Sequence, residues 1–199
     1  MPTPPKTSTA AIVDAARDLI AERGIEALTM QAVANRVGVR GPSLYKRFAD
    51  RDDLLRAVEL AVVADLERVL AAASRSPDDQ TALREMAAEY RHFAKKSAAT
   101  YALIFALHSQ DEETETARRR ALEPALHRLR NWLGDPGLAF LRARALTAFL
   151  HGFVSMEASG AFRFGGSIDE AFSAGIDLLL QAPTPLNPSA KVEHEGNLK

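Results

Sequence analysis

Arg40, Ser43, Tyr45, Lys46 and Arg47 fall within the eight residues "RGPSLYKR", just behind a glycine, Gly38, that sits between two valines. Guanidinium and ammonium groups donate to phosphate oxygens or to the O6/N7 edge of guanine. Serine and tyrosine hydroxyls donate to phosphate, and a tyrosine ring can touch a thymine methyl. Such a cluster suits a polyanion that must be both held and read. It works only if a short, rigid element presents these side chains outward, with Gly41 and Pro42 shaping its start. Thr29 lies eleven positions before Arg40, where a second helix could begin. Its hydroxyl and the adjacent backbone N–H groups could hold a phosphate. Arg51 follows the cluster and could grip the same strand, and Arg47 is expected to reach the backbone as well.

Other chemistries find little support in the residue pattern. His92, His108, His127 and His151 are scattered, and no "HExxH" occurs. The "DEETE" run at Asp111–Glu115 reads as a solvated loop or helix start rather than a metal cage. "FGGS" is too short for a phosphate-cradling loop, and "GVRGPSLY" lacks the G-x-S-x-G spacing of a hydrolase elbow. The absence of cysteine excludes disulfides and thiolate zinc sites. Catalysis, a resident metal and a cofactor are therefore not expected.

The elements that must position the cluster follow from local signals. Thr29 is a plausible N-cap for a short helix running to about Arg36, Gly38 suits a tight turn, and Pro42 suits the first position of a second helix. Val33, Val37, Val39, Leu44 and Phe48 can form the small core of such a helix-turn-helix, with Ala34 where a larger side chain would push the pair apart. The N-terminal part of the second helix, Arg40 to Lys46, is then free to enter a major groove about 12 Å wide.

Apolar residues recur at helical spacing almost throughout. Ile12, Ala15, Ala16, Leu19 and Ile20 share one face of a first helix that Ser8 or Thr9 can cap and Gly24 can end. Asp50 can cap a long helix through "DDLLRAVELAVVADLERVL", and Pro77 fits the first turn of the next. "AATYALIFAL", "EETETARRRALEPALHRLRNWL", "LAFLRARALTAFLHGFVSMEASGAF" and "SIDEAFSAGIDLLLQA" continue the pattern. The fold class is all-α with about nine helices. With 199 residues, 47% of them hydrophobic, the chain can bury a sizeable core, which argues against wholesale disorder. We expect an N-terminal arm over 1–7, a helix-turn-helix unit over 8–54, a larger helical unit over 55–182, to which the resemblance described below assigns regulation and dimerisation, and a disordered tail over 183–199. The formal net charge is −1, yet Met1 to Arg56 hold nine Lys/Arg against seven Asp/Glu. No apolar run approaches the roughly 20 residues that span a bilayer, and "MPTPPKTSTA" has no apolar signal core, so a cytoplasmic location without membrane partners is expected.

The stretch "IVDAARDLIAERGIEALTMQAVANRVGVRGPSLYKRFADRDDLLRAV" resembles, from end to end, the DNA-binding unit of the TetR family of bacterial transcriptional regulators. The likeness rests on the helix ending in Gly24, "LTM" at 28–30, "VA" and "VGV", then "SLY", Phe48, a basic residue and "DLL". It departs at Arg47, where the family often has histidine, and at Arg51, where lysine is common. The resemblance implies a double-stranded operator as partner, an all-helical C-terminal unit that dimerises through its last two long helices, and an effector cavity in each subunit. "FLHGFVSMEASGAF" is further similar to a TetR subgroup carrying a His-Gly pair followed by Glu and Gly, although that subgroup's preceding tryptophan is missing here.

On the residues themselves, Leu146, Leu150, Phe153, Val154, Phe172, Ile176, Leu179 and Leu180 could form a four-helix seam with a second copy, or could instead fill one protomer's core. Bulky residues on helices that the family places around its cavity are Met86, Tyr90, Phe93, Phe105, His108, Trp132, Phe149 and Met156. The effector expected there is a small apolar or amphipathic molecule. Repression by occupying a promoter is the leading expectation. A TetR-type activator and a helical dimer that interacts with proteins but not DNA are the alternatives.

Overall fold

A computed structural model describes residues 8–96, 98–106 and 111–181. The arm expected over 1–7, the tail over 183–199 and His108 lie outside the described residues. Ten α-helices and one 3-10 turn, Ile25–Ala27, account for most of them, and no strand occurs among them. One more helix is present than expected because "AATYALIFAL" breaks into two single-turn pieces, α6 (Ala98–Tyr101) and α7 (Leu103–Ala106).

Caps set most of the boundaries. The Ser8, Thr29, Asp50, Asp111, Asp135 and Ser167 side chains each accept a backbone N–H in the first turn of α1 (Thr9–Arg23), α2 (Met30–Val37), α4 (Arg51–Ala73), α8 (Glu112–Leu133), α9 (Pro136–Ala158) and α10 (Ile168–Leu179). The short α3 is Gly41–Tyr45 and α5 is Asp79–Lys96. Pro77 lies two residues ahead of α5 rather than in its first turn: Asp78 caps the helix, accepting from the Thr81 N–H at 2.7 Å. α9 stops at Ala158, short of the expected run to Phe162, and Gly160 turns the chain away with a bond to the Glu157 carbonyl.

α4 organises the molecule. Its Leu54 and Val58 join α1, α2 and α3 in one core, and its Val62, Leu66 and Leu70 carry that core on to α5, α6, α7 and α8. The boundary expected at 54/55 falls inside this single helix. A second apolar cluster joins α5, α8, α9 and α10. No helix among the described residues is long and apolar enough to cross a membrane.

The eight side chains considered for an intersubunit seam point inward. Leu146, Phe153, Val154, Phe172, Ile176 and Leu180 are buried within one protomer, and Leu150 and Leu179 are half-buried against the same clusters. They are the most apolar positions of α9 and α10, and the protomer's own core claims them first. Outward, α9 instead shows Leu141, Ala145, Ala148, Gly152, Ser155 and Met156, and α10 shows Ala171, Ala174 and Leu178. The two helices approach so closely that a Cβ at Gly175 would run into the Phe149 ring.

A charged knot ties α5 to α9 and α10. Arg91 donates from Nε and Nη2 to the two Glu157 oxygens at 2.8 and 2.7 Å and also pairs with Asp169 at 2.7 Å, while Lys95 reaches Glu157 at 2.7 Å. The Arg91 and Glu157 side chains are each only 12% exposed. The Arg91 guanidinium, helped by Lys95, holds the Glu157 carboxyl down at about 2 against an ordinary value near 4.5. A depressed carboxylate stabilises the fold above its unfolded pKa, and that contribution is lost as pH falls toward its folded pKa. Glu157→Gln is therefore expected to cost roughly 2 kcal/mol near neutral pH, since it removes one partner of a largely buried pair. The gap between variant and parent should narrow as pH falls from about 4.5 to about 2, as urea unfolding across that range will test.

Candidate nucleic-acid interface and ligand cavity

The outward cluster is built on a small, fully enclosed anchor. Val33, Ala34 and Leu44 are 0% exposed and Phe48 is buried beside them, with Val37 and Val39 packed half-buried against the same core. Gly38 makes the turn possible. Its φ of 71° lies in the left-handed region, and the Val39 N–H closes back on the Ala34 carbonyl at 3.0 Å. α3 then starts at Gly41, so Pro42 takes the second helical position rather than the expected first. Arg40, Pro42, Ser43, Lys46 and Arg47 are exposed, Gly41 is half-buried, and Tyr45 is 57% exposed. A tyrosine standing that far into solvent, next to a leucine buried completely, leaves its ring and hydroxyl available to a partner. Thr29 is exposed as well, and its oxygen accepts the Ala32 N–H at 3.1 Å. The hydroxyl proton is not used in that bond, so it can still be donated.

Three arginines brace the head. Arg36 bonds to Glu22 at 2.6 and 2.8 Å and to Asp18 at 3.3 Å, tying α2 to α1. Arg47 donates to the Thr9 hydroxyl at 2.9 Å, joining the end of α3 to the start of α1. Arg51 turns away from the outer face: Nε donates to the Leu28 carbonyl at 2.7 Å and Nη2 to the Ile25 carbonyl at 3.0 Å. It thereby clamps the 3-10 turn before α2 to the first turn of α4. A sequence carries no sign of an arginine bonded to carbonyls, because the partner is backbone that any residue supplies.

Inside the C-terminal helices lies a cavity of about 400 Å³. Val63, Leu66 and Leu70 of α4, Tyr90 of α5, Ile104 and Phe105 of α7, Arg118, Ala121 and Leu122 of α8, and Thr147 of α9 line it. Of the residues considered for ligand contact, Tyr90 and Phe105 are brought together there. Met86 is buried core, Phe93 is packed on that core, and Trp132 lies on the second cluster under the Arg142 guanidinium. Phe149 packs among Phe153 and Phe172, and Met156 faces outward. A search for bulky rings overlooks Arg118 and Thr147, whose types carry no aromatic signal.

Two polar constructions border the cavity. The Tyr90 and Tyr101 hydroxyls meet at 2.6 Å, and the Tyr101 hydroxyl lies 3.0 Å from His151 Nδ1. Burial pushes the Tyr101 hydroxyl up to about 12 and raises Tyr90 further, while it lowers the His151 imidazole. Phe105 stacks on His151 with centroids 3.7 Å apart and separates the cavity from a second, of about 800 Å³, between α5, α6 and α9. On the other side Arg118 bonds to Glu59 at 2.6 Å and to Glu115 at 2.9 Å. Glu59 is 0% exposed, and burial raises its carboxyl against the lowering effect of Arg118.

Comparison with known proteins agrees with this architecture. Residues 12–58 match the family model for bacterial regulatory proteins of the tetR family, and residues 83–179 match the tetracyclin repressor-like C-terminal domain. The HTH-type transcriptional regulator Rv0681 of Mycobacterium tuberculosis is 34% identical over 161 residues, covering 79% of this chain and 73% of that one. The fold is shared with a solved protein from Rhodococcus sp. RHA1, with a TM-score of 0.78 at 21% identity over 90% of this chain and 96% of that one. It is also shared with a TetR variant from Acinetobacter baumannii AYE solved with minocycline, with a TM-score of 0.65 at 24% identity over 87% and 94% of the two chains. With the head and the helical body both matched, and a relative at this identity spanning most of each chain, the protein belongs to the TetR family of transcriptional regulators.

Proposed function

We propose that the protein is a ligand-responsive repressor that binds an inverted-repeat operator as a homodimer in the cytoplasm and is released by a small amphipathic effector. One observation carries the reading. α3 fixes itself by a fully buried Leu44 and turns Arg40, Ser43, Tyr45 and Lys46 to solvent from consecutive turns. Arg40 and Lys46 reach guanine edges or phosphate, Ser43 and the Tyr45 hydroxyl reach phosphate, and Thr29 holds a phosphate at the start of α2. Arg47 adds a backbone contact from the end of α3. Arg51 acts from behind, holding the turn that aims α2, and needs no contact with DNA.

One short helix reads few base pairs, so a two-fold pair of heads supplies the remaining affinity and specificity. The outward stripe of α9 and α10, with its small residues Ala145, Ala148, Gly152, Ala171 and Ala174, is suited to close packing of a second copy. The effector occupies the cavity beside α4. Because α4 also carries Arg51, an effector that favours one setting of this helix shifts the population of head spacings, provided it binds one setting more tightly than the other.

The test is capture of sheared genomic DNA from the source organism at physiological salt, followed by sequencing. A shared inverted repeat is the expected result; sequence-blind binding that disappears with modest added salt would overturn the reading. On the captured repeat, Lys46→Ala will separate two roles. As a phosphate contact it weakens all sequences alike and lowers the salt slope by about one, whereas as a base contact it relaxes preference at one position.

Arg51→Met should behave differently. Leaving the Ile25 and Leu28 carbonyls without their charged donor is expected to cost about 2 kcal/mol in urea unfolding. DNA affinity should fall with the salt slope unchanged; a slope lowered by about one would place Arg51 on a phosphate instead.

A further inference from the structure

The cavity of about 800 Å³ between α5, α6 and α9 takes no part in the reading of DNA or in the effector site beside α4. Its size is that of a small-molecule site. Much of its wall is apolar, with the small side chains of Ala98, Ala102, Val154 and Ala158 and the rings of Tyr101 and Phe105. The charged residues in the lining, Lys95 and Glu157, are paired with each other at 2.7 Å. They offer an incoming ion no uncompensated charge, so a neutral occupant is desolvated at lower cost.

The polar group held in a fixed direction here is His151. Its Nδ1 lies 3.0 Å from the Tyr101 hydroxyl, which in turn meets the Tyr90 hydroxyl at 2.6 Å. Its Nε2 makes no hydrogen bond among the described residues. Counting protons along this chain decides what Nε2 presents. Burial raises both hydroxyls and lowers the imidazole, so near neutral pH the chain holds two hydroxyl protons and one ring proton. Two orders are available. In one, Tyr90 donates to Tyr101, Tyr101 donates to Nδ1, and the ring proton sits on Nε2. In the other, Nδ1 donates to Tyr101 and Tyr101 to Tyr90, which leaves the Tyr90 proton without an acceptor among the described residues. Tyr90 is only 5% exposed, and a buried hydroxyl proton without an acceptor costs free energy. The first order therefore prevails, and Nε2 is a donor. Phe105 lies against the imidazole at 23° to its plane, with centroids 3.7 Å apart. Stacking and the Nδ1 bond together hold the ring, so the Nε2 proton is aimed before a ligand arrives.

We infer that this cavity is a second ligand site, for a neutral carbonyl compound with an apolar body, whose oxygen accepts the His151 Nε2 proton. A group that only donates would meet another donor there and gain nothing. Phe105 stands between this site and the effector cavity, so the inference does not rest on the effector reading.

The test uses nuclear magnetic resonance of the full chain, isotope-labelled at its five histidines, in its own oligomeric state. The His151 signals are those lost in His151→Phe. They should show a proton on Nε2 and a bare Nδ1; the reverse tautomer would overturn the proposal. The chain is then titrated with acetylnaphthalene and with isopropenylnaphthalene of the same substitution pattern, two probes of one shape in which C=CH₂ replaces C=O. The ketone should bind at least about fivefold more tightly and move the Nε2 signal. Equal affinity, ketone binding that leaves that signal unmoved, or no binding of the ketone at all would each overturn the proposal. His151→Phe keeps a ring against Phe105 and should bring the two affinities together, with that of the alkene within about twofold of its original value; a preference that persists would place the ketone elsewhere. Leu122→Trp, which crowds the effector cavity, should leave both affinities within about twofold. Loss of ketone binding in that variant would put the ketone in the effector cavity and remove the second site, leaving the effector reading untouched.

Discussion

The apolar face of α4 is the constraint on which the rest of the molecule depends. Leu54, Val58 and Val62 are fully buried, and each such side chain contributes roughly 1.5–3 kcal/mol relative to exposure. The same helix closes the core under the reading head and, a few turns later, forms the floor of the cavity with Val63, Leu66 and Leu70. Arg51 and Glu59 are eight residues apart, about 12 Å along the axis. One faces the carbonyls that aim α2; the other faces the ion pair at the cavity wall. In the proposed mechanism this tightly packed helix passes a shift at one end to the other, because close-packed interiors have discrete arrangements rather than continuous give.

Electrostatics divides the molecule into regions with different tasks. Around the head, arginines join helices to one another or to backbone carbonyls, which leaves Arg40 and Lys46 on the outer face. In the body, Arg91 with Glu157 and Asp169 fastens three helices, and its short, largely buried bonds to Glu157 suit a structural role. The Arg118–Glu59 pair is built differently. Its carboxylate is deeper than Glu157 while its guanidinium is more exposed than Arg91, one carboxylate oxygen has no bond, and Arg118 lines a void. A pair arranged so is a poor fastener, because the desolvation of Glu59 is only partly offset by a single bond.

Much of the fold was legible in the sequence because helices announce themselves locally. Thr29, Asp50 and Gly24 were placed correctly by capping chemistry alone, and the α2–α3 hairpin followed from Gly38 and its flanking valines. The errors came where tertiary packing decides. The most apolar stretches of α9 and α10 looked like a seam between copies, yet a protomer satisfies its own core first and leaves alanine, glycine and serine outside. The cavity was legible only in part. Tyr90 and Phe105 were among eight bulky residues on helices that the family places around its cavity, and these two do line it, but Glu59 lies within the heptad-like run "LLRAVELAVVADL", where a charged residue reads as a solvated face. Only the position of Arg118, 59 residues away, turns it into a buried partner. Pairings at that separation leave no trace in local periodicity.

The central claim is that occupancy of the cavity and the setting of the reading head are one equilibrium, linked through α4. The most direct measurement is the operator affinity of Leu122→Trp, in which an indole grown from the half-buried rim of α8 stands in for an effector, with helix content and melting followed on the same preparation. The account predicts affinity weakened by about 5- to 150-fold, the usual range for coupling between two sites, in a chain that stays folded. A folded variant that binds the operator as tightly as its parent would contradict it.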